Sequence, residues 1–186
     1  MKKKCAIYTK TGDQGKTGLL SGERVQKDTS LIQIYGSIDE LSSQLSICTN
    51  LENILAEEMS ERIKFIQVQL FHISSLFACA PEKWNDFNLK CDIPGWLQIL
   101  ETSMDDMDSF LPKLKNFIMP GSSLLSAHLH VARCKTRNVE REIVRYLIDD
   151  VRYHEILKYF NRLSDYFFVL ARYVDVKQGK PELILS

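Results

Sequence analysis

Residues 8–28, YTKTGDQGKTGLLSGERVQKD, gather the side chains that suit a polyphosphate. Gly12, Asp13, Gly15, Gly18 and Gly22 stand at bend-forming places, interleaved with Lys10, Lys16, Arg24 and Lys27 and the hydroxyls of Thr9, Thr11 and Thr17. Glycines let backbone N–H groups turn inward, and lysines add point charges. A solvated N-terminal arm has no need of such donor density. Gly15-Lys16-Thr17 invites comparison with a P-loop, but that motif needs a glycine where Lys10 stands, a strand before it and a helix directly after. Gly18 and Gly22 oppose such a helix. Any nucleotide here is bound by another architecture.

A second candidate group lies at 133–141. On a helical wheel with Arg133 at zero, Arg137 falls near about 40° and Glu140 near about −20°, with Arg141 one turn beyond Arg137. Leu125, Leu129, Ala132, Val139, Ile143 and Leu147 fill a neighbouring apolar sector. A stripe of arginines beside a core face is either solvated and paired at i,i+3 and i,i+4, or an anion site. Planar guanidinium forks suit bidentate phosphate contact, and adjacent like charges tolerate each other best with an anion between them.

The elements that must position these groups read as helices, with hardly a strand signal. Ile34, Ile38, Leu41, Leu45 and Cys48 mark a first helix from about 30 to 50. Ile63, Ile66, Leu70, Ile73 and Phe77 mark a second, ending near Pro81. A polar connector over 81–94 precedes a third helix from about 95 to 110, stopped at Pro112. A fourth begins after Pro120-Gly121, capped by Ser122 or Ser123, and runs to about Asp149; a fifth spans about 153–176. Short links between long amphipathic helices indicate an all-α antiparallel bundle.

Composition excludes other classes. The 186 residues suit one domain, and 24 basic against 24 acidic side chains give no field for nucleic acid. Cys5, Cys48, Cys79, Cys91 and Cys134 are odd in number and form no CxxC pair, which fits free thiols in a reducing compartment. Met1-Lys2-Lys3-Lys4 is followed by no apolar leader core, and no stretch approaches membrane-spanning length. A cytoplasmic protein, with no membrane or nucleic-acid partner, is expected. His128, His130 and Cys134 do not make a zinc site, because an H-x-H pair on one helix diverges by about 200°. His72 and His154 read as helix-face residues.

Four segments taken together resemble the PduO-type ATP:cob(I)alamin adenosyltransferases, or corrinoid adenosyltransferases: YTKTGDQGKTGLLSGERVQKD (8–28), YGSIDELSS (35–43), KNFIMPGSSLLSAHLHVARCKTRNVERE (115–142) and YFNRLSDYFFVLARY (159–173). The resemblance implies a five-helix bundle assembling as a homotrimer, with ATP sites between subunits. It divides the single domain into an ATP-binding loop at 1–28, a helical bundle at 29–178 and a short tail at 179–186. It implies transfer of the 5′-deoxyadenosyl group of ATP to the cobalt of reduced cobalamin, with release of triphosphate.

By that resemblance Thr9, Lys10, Thr11, Gly12, Asp13, Thr17, Gly18 and Lys27 form the nucleotide loop, and Arg137, Glu140, Arg141 and Asn161 complete the ATP contacts. Asp39 and Arg133 bridge two subunits and act with Arg137 in catalysis. Phe117 and Phe168 stand beside the corrin. Magnesium accompanies ATP, with no metal ligand assigned on the chain. A transient flavoprotein reductase and an adenosylcobalamin-dependent client are the implied protein partners. The chain departs from the family pattern at Asn138, where a second arginine is usual, at Ser42 and Ser122, and in its short tail. Two other readings remain at this point: a carrier that holds ATP and corrinoid with little turnover, and a helical scaffold with a vestigial site.

Overall fold

The computed structural model describes residues 7–51, 57–89 and 91–184; Cys5 and the N-terminal Met1-Lys2-Lys3-Lys4 run lie outside them. The expected apolar spacings close into five helices: α1 (Ser30–Thr49), α2 (Glu57–Phe77), α3 (Ile93–Asp108), α4 (Leu124–Leu147) and α5 (His154–Lys177). In α1, Ile34, Ile38, Leu41, Leu45 and Cys48 are all buried, and Ile63, Ile66, Leu70, Ile73 and Phe77 do the same for α2. Each such side chain removed from water stabilises the fold by about 1.5–3 kcal/mol.

Helix ends follow from local chemistry. Ser123 caps α4 with Ser126 in a reciprocal capping box, which decides between the two serines expected there. Asp92 accepts from Gly95 N at α3, which starts at Ile93 because Pro94 fits a first turn that has no donor to lose. The expected connector over 81–94 therefore contains a 3₁₀ turn, Pro81–Lys83, and the start of α3. Helix α1 packs on α2 and α4, and α5 packs on α4 and α3. Tyr159 OH donates to Gln69 Oε1 at 2.6 Å, tying α5 to α2 inside the core.

One element departs from the sequence reading. The glycine-rich loop carries a two-stranded antiparallel hairpin, β1 (Lys16–Gly18) and β2 (Arg24–Gln26), with Thr17 opposite Val25. Among the described residues no helix is long and apolar enough to cross a membrane.

Gly121 sets the angle at which the 115–122 segment enters α4. Its φ is +86°, and a Cβ there would lie 2.8 Å from both Cα and Cβ of Ala127. Gly121→Ala is expected to destabilise the fold by about 2–4 kcal/mol, since left-handed backbone strain adds to a contact with backbone that cannot move aside. Urea unfolding of the variant against the parent measures it.

Candidate functional site

The nucleotide loop is built on the end of α2 rather than free in solvent. Leu20 N donates to Ala78 O at 2.7 Å and Ala80 N to Ser21 Oγ at 3.1 Å. Lys83 Nζ donates to Ser21 O at 3.2 Å and pairs with Glu23, whose carboxyl it holds down at about 2. From that footing the hairpin projects the candidate donors. Lys27 N closes onto Gly15 O at 2.9 Å, and the Lys27 ammonium lies over Gly12, 3.2 Å from where a Cβ would stand. Arg24 donates to the carbonyls of Thr11 and Lys16, and the hydroxyls of Thr9 and Thr11 meet at 2.9 Å. Lys10 has a φ of 61°, left-handed backbone that a lysine rarely adopts. Asp13 and Gly18 are exposed, and Thr17 is half-buried. The loop thus leaves three ammonium groups exposed, those of Lys10, Lys16 and Lys27.

On α4 the guanidinium stripe is real and partly prearranged. Asn161 Nδ2 donates to Glu140 Oε1 at 2.8 Å, joining α5 to the stripe. Arg141 donates to Asn138 Oδ1 and Asn138 to Glu142 Oε1, both at 3.3 Å, so Asn138 braces the stripe instead of adding a charge. Arg137 is exposed and makes no hydrogen bond or ion pair with any described residue. An exposed fork left unpaired between neighbours that are paired is available to an anion.

Phe117 is 86% exposed, so it is not a core aromatic. It lines a cavity of about 740 Å³ with Phe168, Ile118, Pro120, His130 and Arg133. A second cavity, of about 610 Å³, is lined by Arg133, His130 and Pro120 too, and by Arg141, Asn138 and Glu40. Arg133 therefore stands in the wall common to an apolar cavity and the cationic face of α4. Within one chain Asp39 does not reach it. Asp39 is exposed on α1 and lines a different cavity with Leu20, Tyr35 and Phe71. Its neighbour Glu40 is the residue that bridges to α4, through Lys135 at 2.6 Å. Likewise, among the described residues no hydrogen bond joins the nucleotide loop to the α4 stripe. Among the described residues the loop and the stripe are two separate groups of candidate side chains.

His130 is the residue that sequence reasoning passed over, having weighed it only as a metal ligand. The structure separates it from His128, whose Nδ1 meets Gln44 Nε2 at 3.0 Å, and among the described residues no cluster could hold a metal. The His130 ring packs edge-on to Phe168, 5.9 Å between centroids, and its Nδ1 is buried without a partner. Burial pushes its pKa down to about 4, helped by the Arg133 charge and opposed by Asp175. The signal that could have found it was position: one turn before Arg133, on the same side of α4.

A pH dependence follows. The neutral form is favoured in the folded chain, so the contribution of His130 is complete above the unfolded value near 6.5 and is lost as pH falls toward 4. The loss amounts to about 3 kcal/mol at most. Unfolding free energies between pH 7 and pH 4 are expected to fall less steeply in His130→Phe than in the parent.

A family model described as cobalamin adenosyltransferase matches residues 7–174. The chain is 38% identical over 180 residues to the corrinoid adenosyltransferase of Bacillus subtilis (strain 168), covering 93% of this chain and 88% of that one. It is 35% identical over 180 residues to corrinoid adenosyltransferase MMAB of Homo sapiens, covering 96% and 72%. Among solved structures it resembles a variant PduO-type ATP:corrinoid adenosyltransferase from Lactobacillus reuteri complexed with cobalamin and ATP. There the TM-score is 0.88 at 31% identity, over 96% of this chain and 98% of that one.

Proposed function

The chain belongs to the cobalamin adenosyltransferase family, and from that premise we propose how its residues divide the reaction. It is an ATP:corrinoid adenosyltransferase, which moves the 5′-deoxyadenosyl group of ATP onto the cobalt of reduced cobalamin and releases triphosphate. Cobalt(I) supplies the electron pair of the new cobalt–carbon bond, and the C5′–O bond breaks with its pair leaving on triphosphate. Cobalt(I) is nucleophilic without help, so the protein has two tasks: holding C5′ in line, and stabilising charge on the departing group.

Arg133 and His130 in the wall shared by the apolar cavity and the cationic α4 face carry this reading. The corrin lies in the cavity with Phe117 and Phe168, and the triphosphate lies on Arg137 and Arg141. Glu140 and Asn161, oriented by the hydrogen bond between them, complete the nucleotide contacts with their remaining polar atoms. The loop of a neighbouring subunit, with Thr9, Lys10, Thr11, Gly12, Asp13, Thr17, Gly18 and Lys27, closes over ATP. A homotrimer brings each loop to the next subunit's stripe, which accounts for the separation of loop and stripe within one chain. The 1–28 loop, the 29–178 bundle and the 179–186 tail work as one domain. Magnesium fits as the counter-ion of triphosphate, whose oxygens would supply most of its ligands, with the carboxylate of Asp13 and the hydroxyls of Thr9, Thr11 and Thr17 as the loop oxygens that could complete its shell. The setting is cytoplasmic, with a transient flavoprotein reductase supplying electrons and an adenosylcobalamin-dependent enzyme taking the product.

The deciding experiment mixes the protein with ATP and chemically reduced cobalamin. Loss of the cobalt(I) absorbance with one triphosphate released per turnover is expected; stoichiometric ATP binding without turnover would select a carrier instead.

Asp39 and Arg133 test the assembly. Charge reversal at either is expected to reduce turnover roughly tenfold while helix content is kept, because an unpaired charge is left facing the neighbouring subunit. Asp39→Arg with Arg133→Asp recovers part of the loss. Unchanged turnover in Arg133→Glu, or a monomer by light scattering at assay concentration, would remove the shared site.

A further inference from the structure

The segment that carries Phe117 belongs to no helix, and its backbone partners come from the tail of the chain. Met119 N donates to Leu183 O at 2.7 Å, and Ile118 forms an antiparallel bridge with Ile184. Ser122 Oγ donates to Pro181 O at 2.6 Å, while Ser122 N donates to Asp175 Oδ2 at 3.2 Å. Residues 181–184 thus supply the partners from which this wall of the cavity hangs.

Both pieces converge on Arg172, near the end of α5 and only 4% exposed. Its Nε donates to Glu182 Oε1 at 2.6 Å, and its second terminal nitrogen donates to Pro112 O, also at 2.6 Å. Pro112 lies at the start of the Phe117 segment, and Glu182 lies in the tail paired to its middle. One guanidinium therefore fixes the segment at its origin and, through the tail, beside Phe117. A buried guanidinium is tolerated only with good acceptors, so the two contacts depend on each other. Arg172 lines neither cavity around Arg133.

We propose that Arg172 and Glu182 are positioning residues for the corrin half of the reaction, strapping the tail to the Phe117 segment so that the Phe117 ring keeps its place over the cavity. The inference rests on the placing of corrin in that cavity under Proposed function. It separates two duties of α5: Asn161, near its start, serves ATP, and Arg172, near its end, serves the corrin.

Arg172→Gln removes a buried charge and puts folding at risk, so Glu182→Ala carries the test. Amide exchange at Met119 is expected to quicken roughly tenfold in Glu182→Ala while amides in the middle of α4 and α5 hold. Turnover starting from cobalt(II) with a reductant should fall roughly tenfold, and ATP affinity and turnover from pre-formed cobalt(I) should change less than about twofold. Glu182→Gln keeps an acceptor oxygen for Arg172 Nε and should restore most of both losses. Unaltered Met119 exchange, equal losses on the two cobalt routes, or a Gln variant as impaired as Ala would each overturn the strap. Failure of the parent protein to consume cobalt(I) would instead overturn the functional reading, and the exchange measurement would still judge the strap.

Discussion

Arg137→Ala is expected to lower turnover by roughly a hundredfold or more, and supplying chemically generated cobalt(I) should not restore it. The expectation follows from where Arg137 stands. It is exposed and makes no hydrogen bond or ion pair with any described residue, so its removal should leave the unfolding free energy within about 0.5 kcal/mol of the parent. On the placement of triphosphate proposed above, what is lost is a planar fork facing the charge that develops as C5′–O breaks. Asn138, the neighbour at which a second arginine is usual, is bonded to Glu142 and Arg141 and cannot take over the charge. Arg137→Lys should recover only part of the rate, since an ammonium presents no bidentate geometry. Steady-state triphosphate release, with unfolding measured in parallel, checks both halves. A loss below tenfold would place the triphosphate elsewhere.

Phe117→Ala is expected to divide the reaction. Starting from cobalt(II) and a reductant, turnover should fall by roughly a hundredfold, and the spectroscopic signature of four-coordinate cobalt(II) should vanish. Starting from pre-formed cobalt(I), the defect should shrink to a few-fold. An aromatic ring provides bulk with no ligand atom, which suits it to exclude an axial ligand from cobalt and so ease reduction. Because the ring is 86% exposed, its removal leaves no packing defect that would weaken both routes together. Equal defects on the two routes would reduce Phe117 to a lining residue.

The bundle was legible because each helix repeats an apolar residue every three or four positions, and burial of Ile34, Ile38, Leu41 and Leu45 follows that spacing. The hairpin at Lys16–Gly18 and Arg24–Gln26 was not legible: each strand has three residues, mostly polar, and too few for alternation to show. The α4 stripe could be drawn on a wheel, since its members are four residues apart or fewer. The loop's footing could not, because Lys83 reaches Glu23 and Ser21 from some sixty positions away and nothing local announces the pairing. His130 was visible, but the spacing argument that sets aside a zinc site says nothing of what the ring packs against. His130 was weighed against His128, its neighbour in sequence, when the relevant neighbours were Arg133 on the next turn and Phe168 on another helix. Phe117 was recognised by resemblance, and its exposure came only with the fold.

The backbone of Lys10 bears on how this loop can change over time. At a φ of 61° the side chains that fit with least strain are glycine, asparagine and aspartate, and none of them brings a positive charge. Lysine and arginine bring the charge and share the strain. Sterics and electrostatics thus pull position 10 toward different residue sets with no member in common. A single step that relaxes the backbone silences the cation, and a single step that keeps the cation keeps the strain. With the role in holding ATP proposed for Lys10, drift there has no gradual route: the loop either retains a basic residue in an uncomfortable pose or is rebuilt around another donor.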